Sequence, residues 1–170
     1  MRPDKMTAKL QSALADAQGL ALSRDHQFIE PVHLMASLLD QSDSPVRHLL
    51  GAVDVNVNAL RIELGAALER ISTVSGTGGD VRPSNELVRL MVLGGKLAQQ
   101  RNDKYISSEL IVLAVLDGRN ELSTTLKNAG ADHDKLSAAI DAVRGGETVT
   151  DANAEDNRQA LERYTIDLTE

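Results

Sequence analysis

The chain has 170 residues, no cysteine, one phenylalanine, two tyrosines and a formal net charge of −7. This length accommodates one domain with a sizeable core, and so few aromatic residues imply an aliphatic core, which favours packed helices. The composition excludes disulfides and thiolate metal sites, and the sequence has neither a signal-peptide pattern nor the roughly 20 apolar residues of a membrane span. We therefore expect a cytoplasmic protein without a membrane partner.

The negative charge is concentrated at one end of the chain. Residues 147–170 contain seven acidic and two basic residues, whereas residues 1–146 contain 18 acidic and 16 basic residues. A nucleic-acid-binding domain needs a basic stripe that neutralises phosphates, and this chain has none. The charge pattern therefore disfavours nucleic acid as a partner.

Helical periodicity and helix-terminus signals follow one another along the chain. Thr7 is a candidate N-cap of the first helix, and Pro31 and Pro45 are suited to the first positions of the second and third. A glycine-rich connection at 72–83 separates two such series. The predicted helices lie at 7–24, 31–41, from 45, from an N-cap at Asn56 or Asn58 to about Ile71, from 84, and near 108–117, 121–129 and 133–144.

The second series repeats the first at an offset of 77 residues. A one-residue slip follows the last matches at that offset, which are Leu49 with Leu126 and Ala52 with Ala129. A duplicated helical unit explains the repeat. We predict an all-α fold of eight helices in two pseudo-symmetric four-helix repeats. The matches include Leu10 with Leu87, Leu20 with Leu97, Arg24 with Arg101, Leu34 with Ile111, Leu39 with Leu116, and, after the slip, Leu60 with Leu136 and Leu64 with Ile140.

The repeats define the predicted domain organisation. Residues 1–146 form one double-repeat domain, with repeat 1 at about 1–72 and repeat 2 at about 82–146. Gly145 and Gly146 are suited to a helix end, and the small polar residues 147–154 predict a mobile linker. Helical character returns at 154–164, and the alternating tail 164–170 has no partner in the chain. Residues 147–170 are therefore predicted to be a linker and a lead-in to a further module.

Few residues have the pattern of a catalytic or ligand site. The Gly-rich stretch 76–79 superficially resembles a phosphate-binding loop, but it lacks the Gly-Lys-Ser/Thr ending and a preceding strand. No serine lies in a nucleophile elbow, so we expect no enzyme activity. Four histidines lack metal-ligand spacing and are predicted to be ordinary surface or boundary residues: His26, His33, His48 and His133.

Differences between the repeats suggest an apolar groove. Leu93 corresponds to Asp16 and Leu110 to His33. If Asp16 and His33 face water, Leu93 and Leu110 are exposed, and with Leu97 they could form a small docking site. Its affinity would be weak, with a dissociation constant of about 50 μM to 1 mM. The alternative is that the halves pack asymmetrically and these leucines belong to the core.

Two related segments, FIEPVHLMASLL at 28–39 and YISSELIVLAVL at 105–116, resemble the Clp N-terminal repeat domain. The resemblance is strongest to the N-terminal part of bacterial AAA+ protein disaggregases. Its motifs keep their order and spacing over the whole chain. Further supporting segments are ALADAQ at 13–18, QFIEP at 27–31, GTGGDV at 76–81, ISSEL at 106–110 and YTIDLTE at 164–170.

The resemblance implies a substrate-binding module that engages unfolded or aggregated polypeptides and delivers them to an ATP-driven homohexamer. It implies ATP and magnesium only in downstream modules, a DnaK-type chaperone system that contacts other parts of the parent, and a monomeric isolated domain without a cofactor. It associates Thr7, Asp103 and Glu109 with chaperone function and places the apolar groove at Leu93, Leu97 and Leu110.

Other readings of the same residues remain open. Thr7 can serve only as an N-cap, Glu109 can stabilise a helix N-terminus, and Asp103 can be a solvated loop residue. The runner-up function is the adaptor-docking N domain of a Clp protease unfoldase. A helical DNA-binding regulator would need the basic patch that is absent, and an independent hydrolase would need a nucleophile–base pair.

Overall fold

The computed structural model describes residues 3–75 and 80–155. This part of the chain contains eight α-helices in two sets of four, as predicted. The glycine-rich stretch 76–79 and the predicted helix and tail beyond residue 155 lie outside the described residues. The helices are α1 Ala8–Ser23, α2 Pro31–Asp40, α3 Pro45–Ala52, α4 Val57–Arg70, α5 Asn85–Gln100, α6 Ser108–Asp117, α7 Glu121–Asn128 and α8 His133–Arg144.

Side-chain caps set most of the helix ends. Thr7 caps α1, because its hydroxyl accepts a hydrogen bond from the Leu10 amide. Asn56, and not Asn58, caps α4. Gly145 follows α8 with a φ of 58°, a left-handed conformation that glycine adopts without steric cost. Side chains of Ser44, Ser84, Asn120 and Asp132 cap α3, α5, α7 and α8 in the same way.

The helix bounds confirm the duplication and relocate its slip. α1 and α5, like α2 and α6, start 77 residues apart, whereas α3 and α7, like α4 and α8, start 76 apart. The slip therefore lies in the loop before α3, and the prediction that placed it after Ala52 is wrong. Leu50 and Leu126 are the equivalent core residues, and both are fully buried.

The two repeats interlock through the segments that precede their first helices. Strand β1, Phe28–Ile29, pairs in parallel with β2, Arg82–Pro83. Met6 forms the equivalent parallel bridge with Ile106. Each repeat thus supplies the lead-in segment that pairs with the other repeat, and a single apolar core includes residues from both. Among the described helices, none is long and apolar enough to cross a membrane.

Helix α6 lies at the centre of the molecule. It packs against α3, α5, α7 and α8, and every residue from Ser108 to Leu116 is buried. A helix that is apolar on all sides must be covered on all sides, and the run LIVLAVL at 110–116 has that character. Leu110 is consequently a core residue with no exposed surface.

Two histidines form a buried pair, so their prediction as surface or boundary residues is wrong. His26 and His33 are 2% and 0% exposed, and His26 Nδ1 lies 2.8 Å from His33 Nε2. The Glu30 amide donates to His33 Nδ1 at 2.8 Å. Because Nδ1 accepts, the His33 proton resides on Nε2 and is donated to His26. Both rings are therefore neutral in the folded protein, whereas His48 is exposed and His133 half-buried.

This pair predicts a loss of stability in acid. Burial, and then the charge of His26, lower the pKa of His33 to about 4, and burial also lowers the pKa of His26. The unfolded chain takes up protons at higher pH than the folded chain, so the stabilisation is complete above about pH 6.5 and is lost as the pH falls towards 4. Urea unfolding at pH 7 and 4.5 should show a His33 contribution of up to about 3 kcal/mol.

The control for this prediction is His48→Gln, which changes an exposed histidine and should leave the pH dependence intact. In a His26→Leu/His33→Leu variant, the free energy of unfolding should lose most of the pH dependence that the histidine pair contributes. An equal pH dependence in that variant and in the unsubstituted chain would show that the pair does not control acid stability.

Candidate functional site

An apolar groove of about 600 Å³ runs along one flank of α5. Val92 and Val88, which line it, are 55% and 39% exposed and are among the large apolar side chains that face solvent. We call this surface the α5 groove; its lining comprises Met6, Val88, Met91, Val92, Gly95, Ala98 and Ile106, together with Lys5, Gln99, Asp103 and Lys104.

The equivalent flank of α1 in repeat 1 is more polar. Gln11 stands where repeat 2 has Val88, Ala15 where it has Val92, and Gln18 where it has Gly95. The side-chain amide of Gln11 also donates, through Nε2, to the Met6 carbonyl at 2.9 Å. The side chain therefore folds back over the helix start. Exposed apolar surface is therefore a property of this flank of repeat 2.

The three leucines predicted to form a groove lie elsewhere. Leu93 and Leu97 are half-buried and pack against the core on the other flank of α5. Leu110 is fully buried, so its predicted exposure is wrong. The error arose from the assumption that His33 faces water, whereas His33 is buried by its pairing with His26. A binding role for Leu93, Leu97 and Leu110 stays a prediction.

The three predicted polar residues lie in two adjoining hydrogen-bonded clusters, which together we call the seam: Thr7 with Ser108 and Glu155, and Asp103 with Glu109 and Arg144. The Thr7 hydroxyl caps α1 and also donates to Glu155 Oε1 at 2.7 Å. The amide of Ser108, the first residue of α6, donates to the same oxygen at 2.8 Å. Thr7 and Glu155 are 0% and 2% exposed. Glu155 thus joins the N-termini of two helices that belong to different repeats.

Arg144 holds the other two predicted residues. Its Nε donates to Glu109 Oε1 at 2.8 Å, and its Nη1 donates to Asp103 Oδ2 at 2.7 Å. The Asp103 side chain is 0% exposed, so the reading of Asp103 as a solvated loop residue is wrong. Burial alone would lower the pKa of Arg144, but the charges of Glu109 and Asp103 outweigh it and raise that pKa. The guanidinium therefore stays charged and is shared by the two carboxylates.

Sequence reasoning missed Arg144 and Glu155, although a signal for Arg144 existed. Arg144 occupies the position of Leu68 in the first repeat, which is 4% exposed. An arginine at a core position of a duplicated helix requires buried anionic partners. Glu155 has no counterpart in repeat 1 and so offered no such signal. In the part of the chain that the structure describes, no group of three or more potential metal ligands occurs.

The segment that follows α8 packs against this seam. Val149 is 2% exposed; its amide donates to Asp103 Oδ1 at 2.9 Å, and its carbonyl accepts from the Lys104 amide at 2.7 Å. The Ala8 amide donates to the Ala152 carbonyl at 2.8 Å. Val149 and Ala152, within the predicted linker 147–154, therefore bond to the domain. The mobility expected of residues 145–154 stays a prediction.

Two interlocked four-helix repeats with an exposed apolar groove define a helical binding module. The chain belongs to the family of Clp repeat N-terminal domains, whose model matches residues 5–129. The chaperone protein ClpB of Vibrio cholerae is 54% identical over 170 residues, which are all of this chain and 20% of that protein. The chain thus spans about a fifth of the length of the curated relatives it matches.

Solved structures show the same fold. The Hsp104 N-terminal domain from Candida albicans superposes with a TM-score of 0.78 at 19% identity, covering 89% of this chain and 99% of that one. A complex of the ClpV N-domain with a VipB peptide superposes with a TM-score of 0.70 at 22% identity, covering 87% and 92%. The predicted fold class and family resemblance are confirmed.

Proposed function

We propose that this domain is the substrate-binding module of an ATP-dependent protein disaggregase and that it captures unfolded polypeptide in the α5 groove. The observation that carries the proposal is the pair of exposed valines, Val88 and Val92, on the wall of a groove of about 600 Å³. An exposed apolar groove favours peptide segments that folded proteins bury. The ClpV N-domain, a relative in fold, has been solved with a bound peptide, which supports this use of the fold.

We assign the ATP-dependent steps to the rest of the parent protein. ATP and magnesium would bind in modules beyond this chain, and the parent would be a cytoplasmic homohexamer that works with a DnaK-type chaperone system. The domain itself would be a monomer without catalytic residues or cofactor. Relatives at 45% to 54% identity that are chaperone proteins ClpB support a chaperone as the parent protein.

Burial of three apolar side chains stabilises a complex by roughly 4–6 kcal/mol, and the cost of orienting the partners reduces this value. Before this cost, the energy corresponds to a dissociation constant of about 50 μM to 1 mM, so we expect binding near the weak end of this range. A domain of this affinity would sample many clients and would gain strength from several copies in one assembly. Weak binding is thus compatible with client capture.

The test is a fluorescence anisotropy titration of this chain into a labelled polypeptide that is reduced and alkylated and cannot refold. Saturable binding in the stated range, with little change on addition of salt, would support the proposal, because apolar contacts are not screened. The same polypeptide in its native disulfide-bonded form serves as the control. Equal affinity for both forms, or no binding at millimolar chain, would overturn the proposal.

A further inference from the structure

Residues 147–155, which we call the C-terminal strap, are fastened at both ends. Near its start, the Val149 backbone bonds to Asp103 and to the Lys104 amide. Near its end, the Ala152 carbonyl accepts from the Ala8 amide, and Glu155 accepts from Thr7 and Ser108. These contacts join the strap to residues of both repeats.

We propose that Arg144 and Glu155 are positioning residues that keep the C-terminal strap docked, and that Thr7, Asp103 and Glu109 act through this strap and not by touching a client. Docking decides where the following chain leaves the domain. Among the described residues, the last contact with the domain is at Glu155 when the strap is docked, and release of the strap moves it back to the end of α8. This inference is independent of client capture in the α5 groove.

Arg144 fixes the start of the strap through Asp103. The two carboxylate oxygens of Asp103 have separate partners: Oδ2 accepts from Arg144 and Oδ1 accepts from the Val149 amide. Arg144 Nη2 also donates to Ser107 Oγ at 3.2 Å, immediately before α6. The guanidinium thereby holds Asp103 in the orientation that receives the strap.

Glu155 fixes the end of the strap at two helix N-termini. Thr7 is the N-cap of α1, and Ser108 is the first residue of α6. Partial positive charge at both helix starts favours a carboxylate there. Burial nevertheless raises the pKa of Glu155, and the charge of Glu109 adds to this effect against the hydrogen bonds from Thr7 and Ser108. The docked carboxylate thus depends on the hydrogen bonds from Thr7 and Ser108 and on the two helix starts to offset the cost of its burial.

Release of the strap would lengthen the connection to the following chain. Nine residues, fully extended, span about 30 Å. When the strap is docked, its bonds to the domain keep it from adding this length to the connection. Docking of the C-terminal strap therefore sets how far the domain can reach from the module that follows. Client delivery depends on that reach.

Amide hydrogen exchange on the 170-residue chain tests the proposal. The amides of Ala8 and Lys104 donate to strap carbonyls, so their protection reports docking. Ala8 is the first residue of α1, where an amide has no partner within its own helix. In Glu155→Ala and Thr7→Val we expect both amides to exchange at least about tenfold faster, while amides in the middle of α6 stay within about twofold.

Conservative variants separate positioning from general stability. Glu155→Gln keeps the accepting oxygen and Thr7→Ser keeps the hydroxyl, so both should retain protection at Ala8 and Lys104. Glu155→Ala leaves the Thr7 cap of α1 in place and thus tests only the docking of the C-terminal strap. Unchanged protection in Glu155→Ala, or loss that runs in parallel with the α6 amides, would overturn the proposal.

Discussion

Replacing Arg144 with leucine is expected to lower the free energy of unfolding by about 3–5 kcal/mol, because Asp103 and Glu109 would lose the buried guanidinium that they share. The side chains of Asp103 and Glu109 are 0% and 5% exposed, so solvent cannot replace the lost guanidinium. The gain of apolar surface from leucine does not offset this penalty. Urea unfolding at pH 7 measures the effect.

A matched control is Arg61→Leu, which removes an arginine from an exposed pair with Asp40. Such a pair contributes about 0–1 kcal/mol, so the control should unfold almost as the unsubstituted chain does. The triple variant Asp103→Asn/Glu109→Gln/Arg144→Leu should recover at least half of the loss, since none of these three positions then buries a charge. A loss below about 1 kcal/mol in Arg144→Leu would show that the cluster is hydrated and not a buried ion network.

Replacing Val92 with glutamate is expected to weaken binding of an unfolded polypeptide at least about tenfold. The substitution removes an apolar contact and places a charge that must lose water when a client covers it, and tenfold corresponds to about 1.4 kcal/mol. Val92 is 55% exposed, so the folded state should tolerate the change, with a stability difference within about 0.5 kcal/mol. The anisotropy titration described above measures the affinity.

The duplication supplies the control for this experiment. Ala15 occupies the position of Val92 in repeat 1, is exposed, and lies on a flank with more polar neighbours. Ala15→Glu introduces the same charge on the same kind of helix and should leave the affinity unchanged. Equal weakening by both substitutions would mean that net charge, and not the α5 groove, controls binding.

Much of the fold followed from local signals in the sequence. Caps such as Thr7 and Asn56 and the prolines at 31 and 45 act through the adjacent backbone, so they could be located without the tertiary structure. The slip between repeats was misplaced because the loops before α3 and α7 differ by one residue and α3 has two adjacent leucines, so Leu126 matches a leucine at either offset. The alignment of two equivalent helices depends on which face of each is buried. Elements that are distant in sequence determine which face that is.

The candidate site was harder to predict, for the same reason. The burial of His33 depends on a hydrogen bond to His26, seven residues away. Because the repeat comparison assumed that His33 is exposed, it wrongly predicted that Leu110 is exposed as well. The same comparison, applied to Val88 against Gln11, would have indicated the α5 groove. Asp103, Glu109 and Arg144 meet only after the chain has folded, so their spacing gave no sign of an ion cluster.

Methyl NMR of the isotope-labelled chain, titrated with the permanently unfolded polypeptide, tests the central claim most directly. We predict saturable shifts concentrated at the methyls of Val88, Met91 and Val92, with Leu110 unchanged because it is buried. Shifts centred on Leu93 and Leu97, with the two valines unaffected, would place the client on the opposite flank of α5 and contradict the assignment of the α5 groove as the client site.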